Sequence, residues 1–373
     1  MKIMHLADFH LDSAFSGFSK EEADKKRVLL RDCFIKAMNI AKERGVQLVL
    51  IPGDLFDTPF CSALTRKPVF EAMAQVGCPI VIAPGNHDYY NKNGTYADRE
   101  LPENVFVFNS TELGRFDFDE LRVSVVGYGF TADRYEENPL EGEVPLSSEN
   151  VNILCAHTEL GVSYSRYAPM NHGTISKHGF VYAALGHVHS PDEPTKVENT
   201  LISYSGFAQG RSFDEIGDGG AYIVDIDLDT KNVAVERIKL SSMRYIIEKV
   251  DITALSNDED VTRLVARTVA EKGYGGETAL RVVLTGAIPS NYVINEKAIL
   301  NSLKSIPLAL LQIRNKTVSN FDLAALEADM TVRGEVYRAL LPLLNSDNEK
   351  EREKGSLALR LALAALDRRE FGV

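Results

Sequence analysis

Residues 46–57 read VQLVLIPGDLFD: an apolar run, a proline–glycine turn, then two carboxylates, Asp54 and Asp57. A short apolar run bounded by a turn marks a strand buried on both faces, the kind found in parallel sheets covered by helices. Four more stretches repeat the arrangement: IMHLADFH at 3–10, PIVIAPGNHD at 79–88, NILCAH at 152–157 and YAALGHVH at 182–189. Each ends in groups able to hold a cation or move a proton. These are Asp8 and His10; Asp54 and Asp57; Asn86, His87 and Asp88; His157; and His187 with His189. Open α/β sheets bind their ligands beyond the carboxyl ends of the strands. Five polar clusters at five strand ends therefore point to one shared site.

Working outward, residues 19–44 have helical spacing, with Val28, Leu29, Phe34, Ala37, Ile40 and Ala41 on one face. Ser19 with Glu22 makes a capping box, and Gly45 supplies a stop. Beyond Val105 the segments VFVFNS, RVSVVGYGF, LISYSG, AYIVDIDL and VAVERIKL are β-rich and separated by turns. The expected fold is α/β: a two-sheet sandwich flanked by helices, occupying residues 1–240. Past Leu240 the polar clusters stop. Strands at Tyr245–Ile252, Leu280–Thr285 and Leu310–Arg314, with helices at Asp258–Lys272 and Asn295–Leu303, predict a small α/β capping domain over 241–330. Residues 331–373 are expected to form a helical C-terminal segment. Its helices are expected at Leu323–Leu344, reaching back into the cap, and at Ser356–Arg369, separated by the charged stretch Ser346–Lys354.

Composition bounds the function. At 373 residues, 45% hydrophobic and 25% charged, the chain can bury a sizeable core. No apolar run reaches the roughly 18–20 residues of a membrane span, and the start MKIMHLADFHLDS lacks the apolar region of a signal peptide. Cys33, Cys61, Cys78 and Cys155 form no paired motif, so reduced thiols and a cytoplasmic location are expected. The net charge of −12 argues against a protein that wraps nucleic acid with its whole surface. It does not exclude a nuclease, because divalent ions can supply positive charge locally.

Taken singly, each cluster has a bland reading. A lone DxH is a chance pattern, GD after a strand is often only a turn, and NHD can be an Asx turn. Taken together, they place five of the eight histidines at strand ends. His5, inside an apolar strand, reads as a satisfied core residue; His172 and His178 lie in a loop-like stretch. In an extended chain Asp8 and His10 would point to the same side. Carboxylate, amide oxygen and imidazole, without thiolate, suit Mn²⁺ first, with Fe²⁺ or Zn²⁺ as alternatives. Seven candidate ligands are too many for one ion but serve two if a carboxylate is shared. Two such ions can hold a hydroxide between them and stabilise both attacking and leaving oxygens of a phosphate ester.

The order DxH, GDxxD, GNHD, H, GHxH resembles the calcineurin-like metallophosphoesterase superfamily. That resemblance implies one divalent ion on Asp8, His10, Asp54 and His189, and a second on Asp54, Asn86, His157 and His187. His87 would contact the phosphate and protonate the leaving oxygen, with Asp57 or Asp88 orienting it. ADFHLDSAF, GDLFDTP and YSGFAQGRSFDEIGDGGAYIVDI are further similar to SbcD-type DNA repair exonucleases, and to their YhaO-like branch. Thr58 after Asp57 and the GNHD ending depart from the protein phosphatases of the superfamily. Ser205 stands where the branch has proline, and Asp57 where some nucleases have histidine. The resemblance implies DNA as substrate, an SbcC-like coiled-coil SMC ATPase as partner and the C-terminal helices as its docking site; a homodimer is a further candidate assembly.

The alternatives differ in kind. A small-molecule phosphodiesterase or nucleotidase could use the same dinuclear site, and the acidic charge favours it. A scaffold that keeps metal without turnover is disfavoured by the intact His87. In the last helix, Leu357, Leu359, Leu361, Leu363 and Leu366 can pack on the chain's own body or on a partner.

Overall fold

Ser19 starts the first helix as its spacing to Glu22 implies. In the computed structural model, which describes residues 1–289, 292–320 and 323–366, the Ser19 hydroxyl accepts from the Glu22 N–H at 3.3 Å and the Glu22 carboxylate accepts from the Ser19 N–H at 3.0 Å. The helix, α1 (Lys20–Glu43), buries Leu30, Cys33, Phe34, Ala37, Met38 and Ala41. Val28, expected on that face, is instead 42% exposed. At about 100° per residue it sits roughly 160° round the helix from Leu30, whose row with Phe34, Ala37 and Ala41 defines the buried stripe.

The strands of residues 1–244 are β1 (Lys2–His5), β2 (Leu48–Ile51), β3 (Ile80–Ile82), β4 (Val105–Val107), β5 (Gly114–Phe118), β6 (Val123–Gly127), β7 (Val151–His157), β8 (Tyr182–Gly186), β9 (Thr195–Val197), β10 (Thr200–Tyr204), β11 (Gly220–Ile226) and β12 (Val233–Lys239). Among the described residues they make two six-stranded sheets, ordered β12-β11-β1-β2-β3-β4 and β5-β6-β7-β8-β10-β9. Side chains alternate across each strand, so both faces of each sheet must be covered. Ile3, Leu48, Leu50 and Val81 pack with Val125, Ile153, Cys155, Tyr182 and Ala184 of the other sheet. Their neighbours Met4, Val49, Ile51, Ile80 and Ile82 pack instead with α1 and with α2 (Ala63–Gln75). The outer face of the second sheet, including Leu154, Ala156 and Leu185, is covered by Phe130, Leu140, Met170, Phe180 and, from α3 (His172–Ser176), Ile175. The expected helix-flanked sandwich is therefore present. β1, β2 and β3 run parallel, as do β7 and β8, so their carboxyl ends open into neighbouring loops.

The chain divides between Arg244 and Tyr245 into two compact units. In the second, β13 (Arg244–Asp251), β14 (Thr278–Thr285) and β16 (Leu310–Asn315) form a sheet, while β15 (Ala287–Pro289) pairs with β17 (Val318–Asn320). α4 (Asp258–Glu271) and α5 (Glu296–Ser302) contribute Val261, Val265, Val269 and Ile299 to a core shared with Leu280, Val282 and Ile313.

The C-terminal helices differ from expectation in two ways. The single helix expected over 323–344 is broken into α6 (Leu323–Ala328) and α7 (Val332–Leu344). Thr331 caps α7 by accepting from the Arg333 N–H, and Arg338 ties down the carbonyls of Glu327 and Asp329 at the break. The charged stretch expected as a linker is largely the first turns of α8 (Glu349–Leu366); the rest of the expected helix lies outside the described residues. Leu359 and Leu363, four apart, are buried with Leu326 of α6 and Tyr337 of α7. Leu357, Leu361 and Leu366 remain exposed. The stripe thus splits: Leu359 and Leu363 close a local helical cluster, Leu357 and Leu361 face outward, and Leu366 is exposed at the end of the helix.

Candidate metal centre

The loops after β1 and β2 continue side by side beyond the strands. The Asp8 N–H donates to the Gly53 carbonyl at 3.3 Å and the His10 N–H to that of Asp54 at 2.9 Å. Asp8 and His10 do not converge through strand pleat, as expected, because β1 ends at His5. Both adopt left-handed backbone, with φ of +52° and +47°, and Asp54 (+50°) and His187 (+105°) share that region. Non-glycine residues pay a steric penalty there, and such strain collects at functional sites held by their surroundings. Gly85 allows the crowding: a Cβ on it would lie 2.3 Å from Asp54 Oδ1 and 2.8 Å from His157 Cε1.

Asp88 is the staple of these loops. Its carboxylate, buried at 0% exposure, accepts from the backbone N–H groups of Asp54 (3.1 Å), Leu55 (2.8 Å), Phe56 (3.2 Å) and Gly85 (2.8 Å), and from the Tyr96 hydroxyl. It was expected as a possible orienting partner of His87. Both oxygens are instead committed to holding the Asp54 loop against the Gly85 loop.

The expected ligands come together. Asp8, His10, Asp54 and His189 offer ligand atoms all within 4.8 Å of one another. His10 Nδ1 lies 3.2 Å from Asp57 Oδ1, and His189 Nδ1 lies 2.9 Å from Glu215 Oε1. A carboxylate only accepts, so each Nδ1 carries the proton and each Nε2 is left bare in the neutral ring. Arg211 Nη2 also lies 3.3 Å from His189 Nδ1, but two donors cannot bond, and the shorter Glu215 contact decides the tautomer. The two Nε2 atoms stand 3.1 Å apart, with Asp54 Oδ2 3.6 Å from that of His10. Two lone pairs at that distance require a positive charge between them, either a proton or a metal ion.

The other half repeats the logic. His157 Nδ1 donates to the Pro52 carbonyl at 3.0 Å, leaving Nε2 directed at Asn86 Oδ1 (2.9 Å) and Asp54 Oδ2 (3.5 Å). The His187 ring centroid is 5.1 Å from that of His157, and Tyr167 covers its other side at 4.5 Å. Burial, aided by the neighbouring His157, lowers His187 to about 3; burial also lowers His10, to about 4. Asp8 is pushed up by burial, while in Asp54 the imidazoles of His157, His10 and His87 outweigh burial and hold the carboxyl down. For His189 burial opposes charging, but Glu215 and Asp8 outweigh it and raise its pKa. Imidazoles, carboxylates and an amide oxygen without thiolate form a donor set that fits a pair of borderline or hard divalent ions.

His87 stands beside the buried candidate ligands, its side chain 45% exposed and its ring centroid 4.6 Å from that of His10; His10, Asp57 and His87 also offer ligand atoms within 4.8 Å of one another. Its Nδ1 is 3.4 Å from the Asp57 carbonyl oxygen and 3.9 Å from the Asp57 carboxylate. The closer partner of the Asp57 carboxylate is His10, so Asp57 supports a candidate ligand as well as flanking His87.

Sequence reading missed Arg211 and Glu215. Glu215 is 4% exposed, and burial that would raise its carboxyl is outweighed by His189 and Arg211, which hold it at about 2. The RSFDE spacing puts the pair at i and i+4, but nothing local says that the loop returns to the site. His5 is the core residue expected, bonded to the Tyr182 hydroxyl (2.8 Å) and the Leu185 carbonyl (3.1 Å). His178 is taken up by the Leu140 carbonyl at 3.1 Å. All four cysteines are free thiols, three of them buried. No helix among the described residues is long and apolar enough to cross a membrane.

Residues 1–191 match the family model described as calcineurin-like phosphoesterase. The chain is 28% identical over 301 residues to the uncharacterized metallophosphoesterase YhaO of Bacillus subtilis, covering 78% of this chain and 72% of that protein. Similar solved structures include a dimetal phosphatase from Danio rerio, at TM-score 0.42 and 10% identity over 64% of this chain and 96% of that one. Another is Vps29 complexed with Zn²⁺ from Entamoeba histolytica, at TM-score 0.31 and 11% identity over 64% of this chain and 99% of that one. Likenesses this distant carry no information on activity.

Proposed function

The chain belongs to the calcineurin-like phosphoesterase family, and from that premise we propose that it is a metal-dependent phosphodiesterase acting on DNA. The observation that carries hydrolysis is the pairing of bare acceptor atoms, His10 with His189 and His157 with Asn86, around the shared Asp54 carboxylate. Asp8, His10, Asp54 and His189 would hold one ion, and Asp54, Asn86, His157 and His187 the other. Divalent ions there supply Lewis acidity toward a phosphoryl oxygen and make water a nucleophile near neutral pH. The chain's own residues do the rest. The half-exposed His87 ring stands beside the buried ligands, where it can donate a proton to the departing oxygen. The His87 N–H donates to Asp54 Oδ1 at 3.0 Å, fixing the acid's backbone to the shared carboxylate.

DNA as substrate is supported by the GDLFDTP and YSGFAQGRSFDEIGDGG stretches quoted above. A small phosphodiester is the second reading. It is favoured by the net charge of −12, which opposes a polyanion more than a small singly charged ester. The test supplies Mn²⁺ with linear duplex DNA, single-stranded DNA, cyclic nucleotides and a chromogenic phosphodiester. Cleavage of DNA that falls steeply as salt rises supports the proposal. Efficient turnover of cyclic nucleotides with DNA left intact refutes it in favour of the second reading. His87→Gln is the internal control: turnover should fall roughly 10²–10⁴-fold while metal content holds, as for loss of a general acid. Loss of metal in that variant would make His87 a ligand instead.

The exposed pair Leu357 and Leu361, one turn apart on α8, supports a coiled-coil ATPase as partner. Truncation after Asn345 should abolish co-purification with such an ATPase while hydrolysis of the chromogenic ester persists. Undiminished co-purification removes this docking assignment.

A further inference from the structure

Arg211 and Glu215 complete a ring around one half of the site. His10 Nδ1 meets Asp57 Oδ1 at 3.2 Å, and that oxygen lies 3.6 Å from Arg211 Nη1. Arg211 Nη2 donates to Glu215 Oε1 at 2.6 Å, and the same oxygen accepts from His189 Nδ1 at 2.9 Å. His189 Nε2 then returns to His10 Nε2 at 3.1 Å. We propose that Arg211 and Glu215 are positioning residues for the ion held by Asp8, His10, Asp54 and His189. They act by locking the two imidazoles in the tautomer that leaves Nε2 bare.

The chemistry of each member supports the assignment. A carboxylate is acceptor-only, so Glu215 enforces a proton on His189 Nδ1, as Asp57 does on His10. Outer carboxylates of this kind fix ring orientation and tautomer in metal sites. Glu215 is itself held from three directions, by the Arg211 backbone N–H (2.7 Å), Nε (3.0 Å) and Nη2 (2.6 Å). The planar fork of Arg211 lets one side chain face Glu215 and Asp57 together, which the point charge of a lysine cannot do. The other half of the site is held differently: His157 is fixed by the Pro52 carbonyl, and neither Asn86 nor His187 belongs to the ring. Disturbing the ring should therefore affect one ion and spare the other.

The inference rests on the two-ion reading of the site. Calorimetry and electron paramagnetic resonance with Mn²⁺ alone, on metal-free full-length protein, test both. The parent should bind two ions and show a coupled-pair spectrum. In Glu215→Gln the amide can donate as well as accept, so the tautomer is no longer enforced. One ion should weaken roughly 10–100-fold, the range for loss of an outer-shell partner, while the other keeps its affinity. The spectrum at one equivalent should become that of a single ion. Arg211→Lys, which keeps the charge and loses the fork, should weaken the same ion by a smaller factor.

Two unchanged affinities in Glu215→Gln, against two ions in the parent, overturn the positioning role and leave the two-ion reading intact. Equal weakening of both ions with a lower melting temperature of the metal-free variant also overturns it, because that is general loosening. A parent that binds fewer than two ions defeats the two-ion reading, and the ring inference with it.

Discussion

Asp54→Asn should empty both metal positions and lower phosphodiester hydrolysis by roughly 10³-fold or more, since two-ion stabilisation of the reacting oxygens is worth several kcal/mol and each 1.4 kcal/mol is tenfold. The geometry explains why one residue should have so wide an effect. Asp54 Oδ2 stands 3.6 Å from His10 Nε2 and 3.5 Å from His157 Nε2, so a single carboxylate serves both halves. Its other oxygen accepts the His87 N–H, a bond the amide oxygen of asparagine can keep. Asparagine also keeps the volume at a position crowded by Gly85 and His157. What it loses is the charge and one acceptor, replaced by an N–H₂ that repels a cation. Elemental analysis after dialysis reads the metal content, and the chromogenic ester reads the rate. Two retained ions with the parent's turnover would remove Asp54 from the shared position.

Asp88→Ala should be the most damaging single change to the stability of residues 1–244. Four backbone N–H groups and the Tyr96 hydroxyl converge on that carboxylate in a place sealed from water. Alanine leaves all five donors buried without their acceptor. Each unsatisfied buried donor costs about 1–3 kcal/mol, and water entering the new space offsets part of the sum. A net loss of about 3–5 kcal/mol follows, comparable to breaking a buried ion pair. For a unit of this size that lowers the melting temperature by about 10 °C. Because the same carboxylate holds the Asp54 loop to the Gly85 loop, metal affinity should fall with it. Thermal unfolding of the metal-free protein isolates the structural part. A melting point unchanged from the parent would show that the staple holds nothing.

Much of the sandwich could be read along the chain because its signals are local. Runs such as QLVLI and PIVIA are short, apolar and bounded by turns, and Ser19 with Glu22 announces a helix start within one turn of backbone. The candidate ligands were legible for the same reason: residue types able to bind metal stand at or just beyond strand ends, where parallel sheets open. The misreadings were also local. Val28 is apolar but lies off the stripe through Leu30 and Phe34. The charge-rich Glu349–Lys354 looks like a linker, although glutamate, lysine and arginine are good helix formers and begin α8.

The sequence by itself therefore determined which residue types stand at which strand ends, and with them the sandwich, the candidate ligands and the family of hydrolases. Tertiary structure alone decided how those residues act. The pairing of His10 with His189 spans 179 positions, and the donors that Asp88 collects from the Asp54 loop lie 32 to 34 positions away. The left-handed conformations at Asp8, His10, Asp54 and His187 fall on residues that are not themselves glycine, and are imposed by the packing around them. Nothing in a stretch reading RSFDE indicates that its glutamate will meet a histidine 26 residues earlier in the chain. Periodicity reports what a residue's neighbours along the chain require. Tautomer, charge and strain are set by neighbours in space, which exist only once the sheets have packed.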